Sequence, residues 1–163
     1  MENSQTANSE DSSKEVGMIS NAHHKFIVIG PQTEDLLREA ELLGNNAEIV
    51  YSVDNVNQWD IESNSIEADL VVIECTTVFP ETVQIIKEKT RAVGASMAIV
   101  IYHYTQQTAR GMMARARLIT PLRAPIDTQD LKYVCEADLA MATIRNTPIE
   151  MIEYDENDET TQP

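Results

Sequence analysis

Five short apolar runs recur along the middle of the chain, and polar or helix-periodic stretches separate them. Lys25 to Ile29 (KFIVI) is the first. Glu48 to Val53 (EIVYSV), Asp69 to Ile73 (DLVVI), Met97 to Tyr102 (MAIVIY) and Ile119 to Leu122 follow. Runs of this length, rich in β-branched residues and without alternation, predict strands buried on both faces.

The intervening stretches carry helix signals. Thr33 is a candidate N-cap, with Glu34 and Asp35 in the first turn where the helix dipole favours acids. Leu36, Leu37, Ala40 and Leu43 recur at helical spacing, and Gly44 predicts the stop. Residues 55–66 are polar, with one short helix expected around Trp59, which reads as core filler. Pro80 suits a first helical turn, and Val83, Ile86 and Val93 form a face closed by Gly94. Residues 106–117 predict a fourth helix, weakened by Gly111. Asp127, with Asp130 three residues on, resembles a capping box for a fifth, reaching about Ala142. Strands and helices thus alternate as (βα)5, and a parallel sheet covered on both faces follows. The right-handed crossover rule favours a flavodoxin-like, CheY-like three-layer sandwich with strand order 2-1-3-4-5.

The ends are different. Residues 1–23 are polar and too poor in apolar side chains to offset their ordering entropy, so a disordered tail is expected there. His23 and His24 close it, read as a solvated pair. Residues 24–145 form the domain. Residues 146–163 form an acidic tail, in which Ile149 to Glu159 (IEMIEYDENDE) alternates apolar and acidic residues before turning wholly acidic. That tail reads either as a solubilising segment or as a recognition segment for a basic surface, a partner's or this chain's own.

Charge narrows the function. The formal net charge is −15 and the pI is about 4.4. Direct binding to a nucleic-acid backbone needs clustered Lys and Arg, so it is not expected. No apolar run reaches the roughly 18 residues that a membrane helix requires. The N-terminus lacks a signal-peptide core, so the expected location is the cytoplasm. Cys75 and Cys135 make no disulfide framework and read as reduced packing residues.

In a sheet of this order, chemistry gathers beyond the carboxyl ends of the strands. The residues expected there are Gly30 and Pro31, Asp54, Glu74 and Cys75, Tyr102 and His103, then Arg123, Ala124 and Pro125. The order of elements, the string ADLVVIE at 68–74 and the string LRAPIDTQDL at 122–131 resemble the receiver domain of bacterial response regulators over about residues 25–142. They are also similar to the receiver-like C-terminal domain of some MerR-family regulators. The resemblance implies a phosphoacceptor pocket, and this chain departs from it at each chemical position. Where a receiver holds Mg²⁺ with acids after strand one, the chain has Gly30, Pro31 and Gln32. Glu74 stands for the aspartate that is phosphorylated. Tyr102 stands for the Ser or Thr that closes on the phosphoryl group, and Ala124 for the lysine that pairs with it. The pocket formed by Gly30, Pro31, Asp54, Glu74, Tyr102 and Ala124 is therefore expected to be degenerate and not phosphorylated. A second reading takes Glu74 as a mimic of phospho-aspartate and the pocket as permanently switched on. No metal or cofactor is expected, because Glu74 alone supplies too few hard oxygen ligands. The resemblance also implies a cis bond at Ala124-Pro125.

Binding surfaces are the remaining candidates. Arg110, Arg115, Arg117 and Arg123 fall within fourteen residues of a strongly acidic chain. Met112 and Met113 share their helix, and Met adapts to partner surfaces. Tyr104 is expected to border the patch. Receivers use the face of helix four, strand five and helix five for dimerisation and partner docking, so a homodimer or a protein partner is expected on these residues. Alternatively the arginines pair locally with Asp127 and Asp130. Enzymatic readings are thin: there is no glycine-rich phosphate loop, no flavin loop, no cobalamin motif, and one histidine, His103, within the fold. The sequence leads to a non-phosphorylatable regulatory module acting by protein contact. The alternatives are a small-molecule sensor with its pocket at Gly30, Asp54, Glu74, Tyr102 and Arg123, and a transcription-regulator effector domain separated from its DNA-binding half.

Overall fold

A computed structural model describes residues 23–60 and 66–145. Of the tails expected at 1–23 and 146–163, all but His23 lies outside those residues. Five strands form one parallel sheet in the order β2-β1-β3-β4-β5. They are β1 (His24–Ile29), β2 (Ala47–Val53), β3 (Leu70–Val78), β4 (Met97–Thr105) and β5 (Ile119–Arg123). Among the described residues three α-helices lie between strands, α1 (Thr33–Glu39), α2 (Pro80–Ala92) and α3 (Gln107–Arg115), and α4 (Thr128–Arg145) follows β5. The helix expected around Trp59 is a single 3-10 turn, Val56–Gln58.

Alternation along each strand divides the core into two. Phe26, Val28, Leu70, Val72, Ile99 and Ile101 pack with Leu37 of α1 and with Leu131, Cys135 and Leu139 of α4. Ile27, Ile29, Val71, Ile73, Ala98 and Val100 pack on the other side with Val83 and Ile86 of α2 and Met113 of α3. The sheet is the middle of three layers. Trp59 joins the second core, 2% exposed. The Lys89 ammonium donates to the Trp59 carbonyl and lies 5.9 Å from the ring centroid.

Several local expectations change. His24 is the first residue of β1. His23 Nε2 lies 3.0 Å from Glu48 Oε1. Thr33 does not cap α1: its buried hydroxyl donates to the Ile29 carbonyl at 2.8 Å and ties the end of β1 to the helix. The helix stops at Glu39, before Leu43 and Gly44. The amides of Glu41 and Leu42 donate to the carbonyls of Arg38 and Leu37, with Glu41 at φ 59°. That is a Schellman stop with glutamate where glycine is usual. In α2 the same motif uses Gly94 at φ 73°, as expected. The Asp127 carboxylate accepts the Gln129 amide at 2.7 Å and caps α4. The bond Ala124-Pro125 is cis.

The largest correction concerns β3 and β4. The sequence ends β3 at Ile73 and places Glu74 and Cys75 beyond it. The structure continues the strand to Val78. Its pairing with β4 runs through Glu74↔Ile101 and Cys75↔Tyr102 to Val78↔Thr105. β1 stops pairing at Ile29↔Ile73 and β5 at Tyr102↔Arg123. A two-stranded ribbon therefore projects past the carboxyl edge of the sheet. Tyr104 lies within it rather than past the end of β4.

Candidate functional site

The chain leaves β1 at Gly30, which has φ 122°. A side chain there would bring Cβ to 2.5 Å from Thr33 Oγ1 and 3.0 Å from Glu74 Cβ. Glycine is thus required by both conformation and space. The backbone passes over β3 and opens a cleft of about 550 Å³ at the strand ends. Pro31 and Gln32 form one rim. Asp54 to Asn57 form another, held rigid because the Asp54 amide donates to Gln58 Oε1 and the Gln58 amide to Asn55 Oδ1. The projecting ribbon supplies the inner wall with Glu74, Cys75, Thr76, Thr77 and His103. Phe79 and Thr82, at the start of α2, complete it; the Phe79 amide donates to Thr82 Oγ1 at 3.3 Å.

Of the six residues expected in a degenerate pocket, Pro31, Asp54 and Glu74 line this cleft, with Gly30 packed beneath Glu74. Tyr102 and Ala124 do not line it. Tyr102 packs instead against the α2/α3 core, beside its register partner Cys75. Ala124 packs with the α1/α4 core. Arg123, paired with Tyr102, likewise lies away from the cleft. His103 takes the place that Tyr102 was expected to hold. Its Nε2 lies 3.6 Å from Glu74 Oε2, within ion-pair range when the imidazole is protonated.

The cleft is polar and anionic. Glu74 and Asp54 face it, and no Lys or Arg lines it. Such a surface repels phosphate and other anions and suits neutral or cationic groups. Cys75 contributes no nucleophile: burial and then the neighbouring Glu74 push its thiol up to about 11, so it stays protonated at neutral pH. Among the described residues no group of three or more His, Cys, Asp or Glu is placed to hold a metal ion.

The second candidate is the arginine surface. Arg110, Arg115, Arg117 and Arg123 are all exposed. None forms an ion pair among the described residues, so the local pairing with Asp127 and Asp130 is absent there. Arg115 folds back along α3 over Gly111, where an added Cβ would meet its Nη1 at 3.3 Å. Tyr104 is 70% exposed. Met113 is a correction: it is 1% exposed and fills the core, so no partner can reach it. Met112 is half-buried against the same core.

No helix among the described residues is long and apolar enough to cross a membrane. No family description matches the chain, and no curated protein does. Among solved structures, the chain is similar to a pilus assembly-related protein of Burkholderia pseudomallei. The TM-score is 0.55 at 14% identity, over 74% of this chain and 92% of that one. Likeness at this identity is one of fold, and the fold is a flavodoxin-like parallel α/β sandwich.

Proposed function

We propose that this chain is a receiver-like regulatory module of bacterial type that has lost phosphotransfer and works by protein contact. The observation that carries the reading is the arginine surface on α3, β5 and the turn between them. Four exposed guanidiniums without an ion pair among the described residues, in a chain of net charge −15, are an uneven placement. Interfaces are enriched in arginine and tyrosine, and Tyr104 stands at 70% exposure on the adjoining ribbon. The partner is a protein with an acidic docking surface, or a second copy that offers one. The domain acts without catalysis: Glu74 lies within a strand, Gly30, Pro31 and Gln32 supply no carboxylate at the end of β1, and Ala124 offers no ammonium group.

The test is capture from native-host lysate by wild type and by a chain carrying Arg110→Glu, Arg115→Glu and Arg117→Glu. A protein held by wild type and lost by the variant supports the reading. Equal capture by both overturns it.

The cleft supports a second reading, a sensor of a small neutral or cationic ligand. Its volume of about 550 Å³ falls in the range of small-molecule sites. A compound that raises the melting temperature of wild type, but not of a Glu74→Gln chain, would favour this reading.

A further inference from the structure

We propose that residues 149–159 dock on this chain's own α3–β5–α4 face, with their acids on the arginines and their apolar residues on the outer side of α4. The inference uses the same surface as the proposed function and adds its resident occupant.

Charge is the first argument. The arginines of α3 and β5 lack ion pairs among the described residues. Residues 149–159 carry Glu150, Glu153, Asp155, Glu156, Asp158 and Glu159 and no base. A second copy docked face to face would instead bring two sets of arginines together.

The outer side of α4 is the second. Leu131, Cys135, Leu139 and Ala142 face the sheet and are buried. On the opposite side, Tyr133, Ala137, Ala140, Met141 and Ile144 recur at spacings of three and four and are exposed. Tyr133 is 75% and Ile144 65% exposed. A surface helix ordinarily turns a polar side to water, so this one has two apolar faces and one cover. Residues 149–159 begin with apolar Ile149, Met151, Ile152 and Tyr154 interleaved with acids.

Tether geometry is the third. β5 ends at Arg123 and α4 runs back along the sheet, where the Thr120 hydroxyl meets Asp138 Oδ2 at 3.1 Å. The helix therefore ends at Arg145 near the start of β5, the same end as Arg115 and Arg117. Pro148 cannot continue it. The fourteen residues 146–159 reach at most about 45 Å when extended, and β5 spans only about 17 Å. The segment can therefore pass from Arg117 to Arg123 with length to spare. It docks by side chains rather than as a sixth strand. The Leu118 carbonyl and the Ala124 amide bond to β4, so by alternation Ile119, Pro121 and Arg123 turn their backbones to the open edge. Pro121 has no N–H to offer there.

The test uses the full chain with a nitroxide on Asn157→Cys, the native thiols being buried. Paramagnetic line broadening of backbone amides is read by NMR. Strong broadening is expected on α3, β5 and α4 and none on β2 or α1. It should not change on dilution. It should be lost at high salt and in a chain carrying Arg115→Glu, Arg117→Glu and Arg123→Glu. Absent or uniform broadening overturns the proposal. So does broadening seen only when spin-labelled chains are mixed with unlabelled ones, which would make the occupant a second copy. Partner capture lost in the arginine variant without any broadening would sink this inference and leave the proposed function standing.

Discussion

His103 Nε2 lies 3.6 Å from Glu74 Oε2, diagonally across the β3–β4 pair. The acid therefore sits in a paired strand wall with an imidazole beside it, not on a loop beside a metal cluster. Acetyl phosphate with Mg²⁺ is expected to leave the chain unmodified by intact mass. Glu74→Asp alone is expected to leave it unmodified too, because Gly30, Pro31 and Gln32 still supply no carboxylate. A phosphoryl adduct on either chain would refute the loss of phosphotransfer.

Gly30→Ala tests the packing under the cleft. The φ of 122° and the 2.5 Å approach to Thr33 Oγ1 leave no room for a methyl group. A loss on the order of 2–3 kcal/mol is expected from strain of this kind, read by urea denaturation. A loss below measurement error would mean that the β1–α1 corner relaxes freely.

Glu41→Gly should do the opposite. Glu41 holds φ 59° at the stop of α1, and glycine adopts that conformation without strain. A gain of about 1 kcal/mol is expected. The contact of its carboxylate with Lys132 Nζ at 3.7 Å is exposed and offsets part of that, as about 0.2–1 kcal/mol is usual for such pairs.

Thr90 is fully buried, and its hydroxyl has no hydrogen-bond partner among the described residues. Thr90→Val keeps the shape and removes the unsatisfied oxygen. Stability should rise by roughly 1 kcal/mol, visible as a higher denaturation midpoint at unchanged slope. A fall would mean that the hydroxyl has a partner after all.

Both thiols give a pH dependence. Burial, first, and nearby acids push Cys75 up to about 11 and Cys135 up to about 12, from the ordinary 9.0. The unfolded chain loses these protons first, so stability is whole below pH 9 and falls as pH rises towards 11 and 12. Each thiol contributes a slope of up to about 1.4 kcal/mol per pH unit. Cys135→Ala should flatten the alkaline limb by one thiol's share. An unchanged limb would assign it to other groups.

The sequence shows where a strand is buried on both faces, because only there must every side chain be apolar. FIVI at 26–29 and AIVI at 98–101 meet that condition, and so strand order and fold class were legible. Past Ile73 and Tyr102 the neighbouring strands stop and water reaches Thr76 and His103, while Cys75 and Val78 stay buried, so the continuous apolar signal ends while the pairing continues. Thr76, Thr77 and His103 consequently read as loop. The same error of boundary placed Tyr102 in the cleft, whereas it packs against the α2/α3 core. Met113 misled differently: a helix of mixed sequence gave no periodicity strong enough to separate it from Met112. The arginines were legible as a cluster, but not their lack of ion pairs among the described residues.

The ribbon of β3 and β4 has one more consequence. Its backbone is fixed by pairing, while Thr76 and His103 are exposed. Replacing an exposed side chain on a rigid strand usually changes stability by less than about 0.5 kcal/mol. The wall of the cleft can therefore change its chemistry almost independently of the fold, and descendants of one ancestral chain could diverge in what they recognise while the scaffold stays the same.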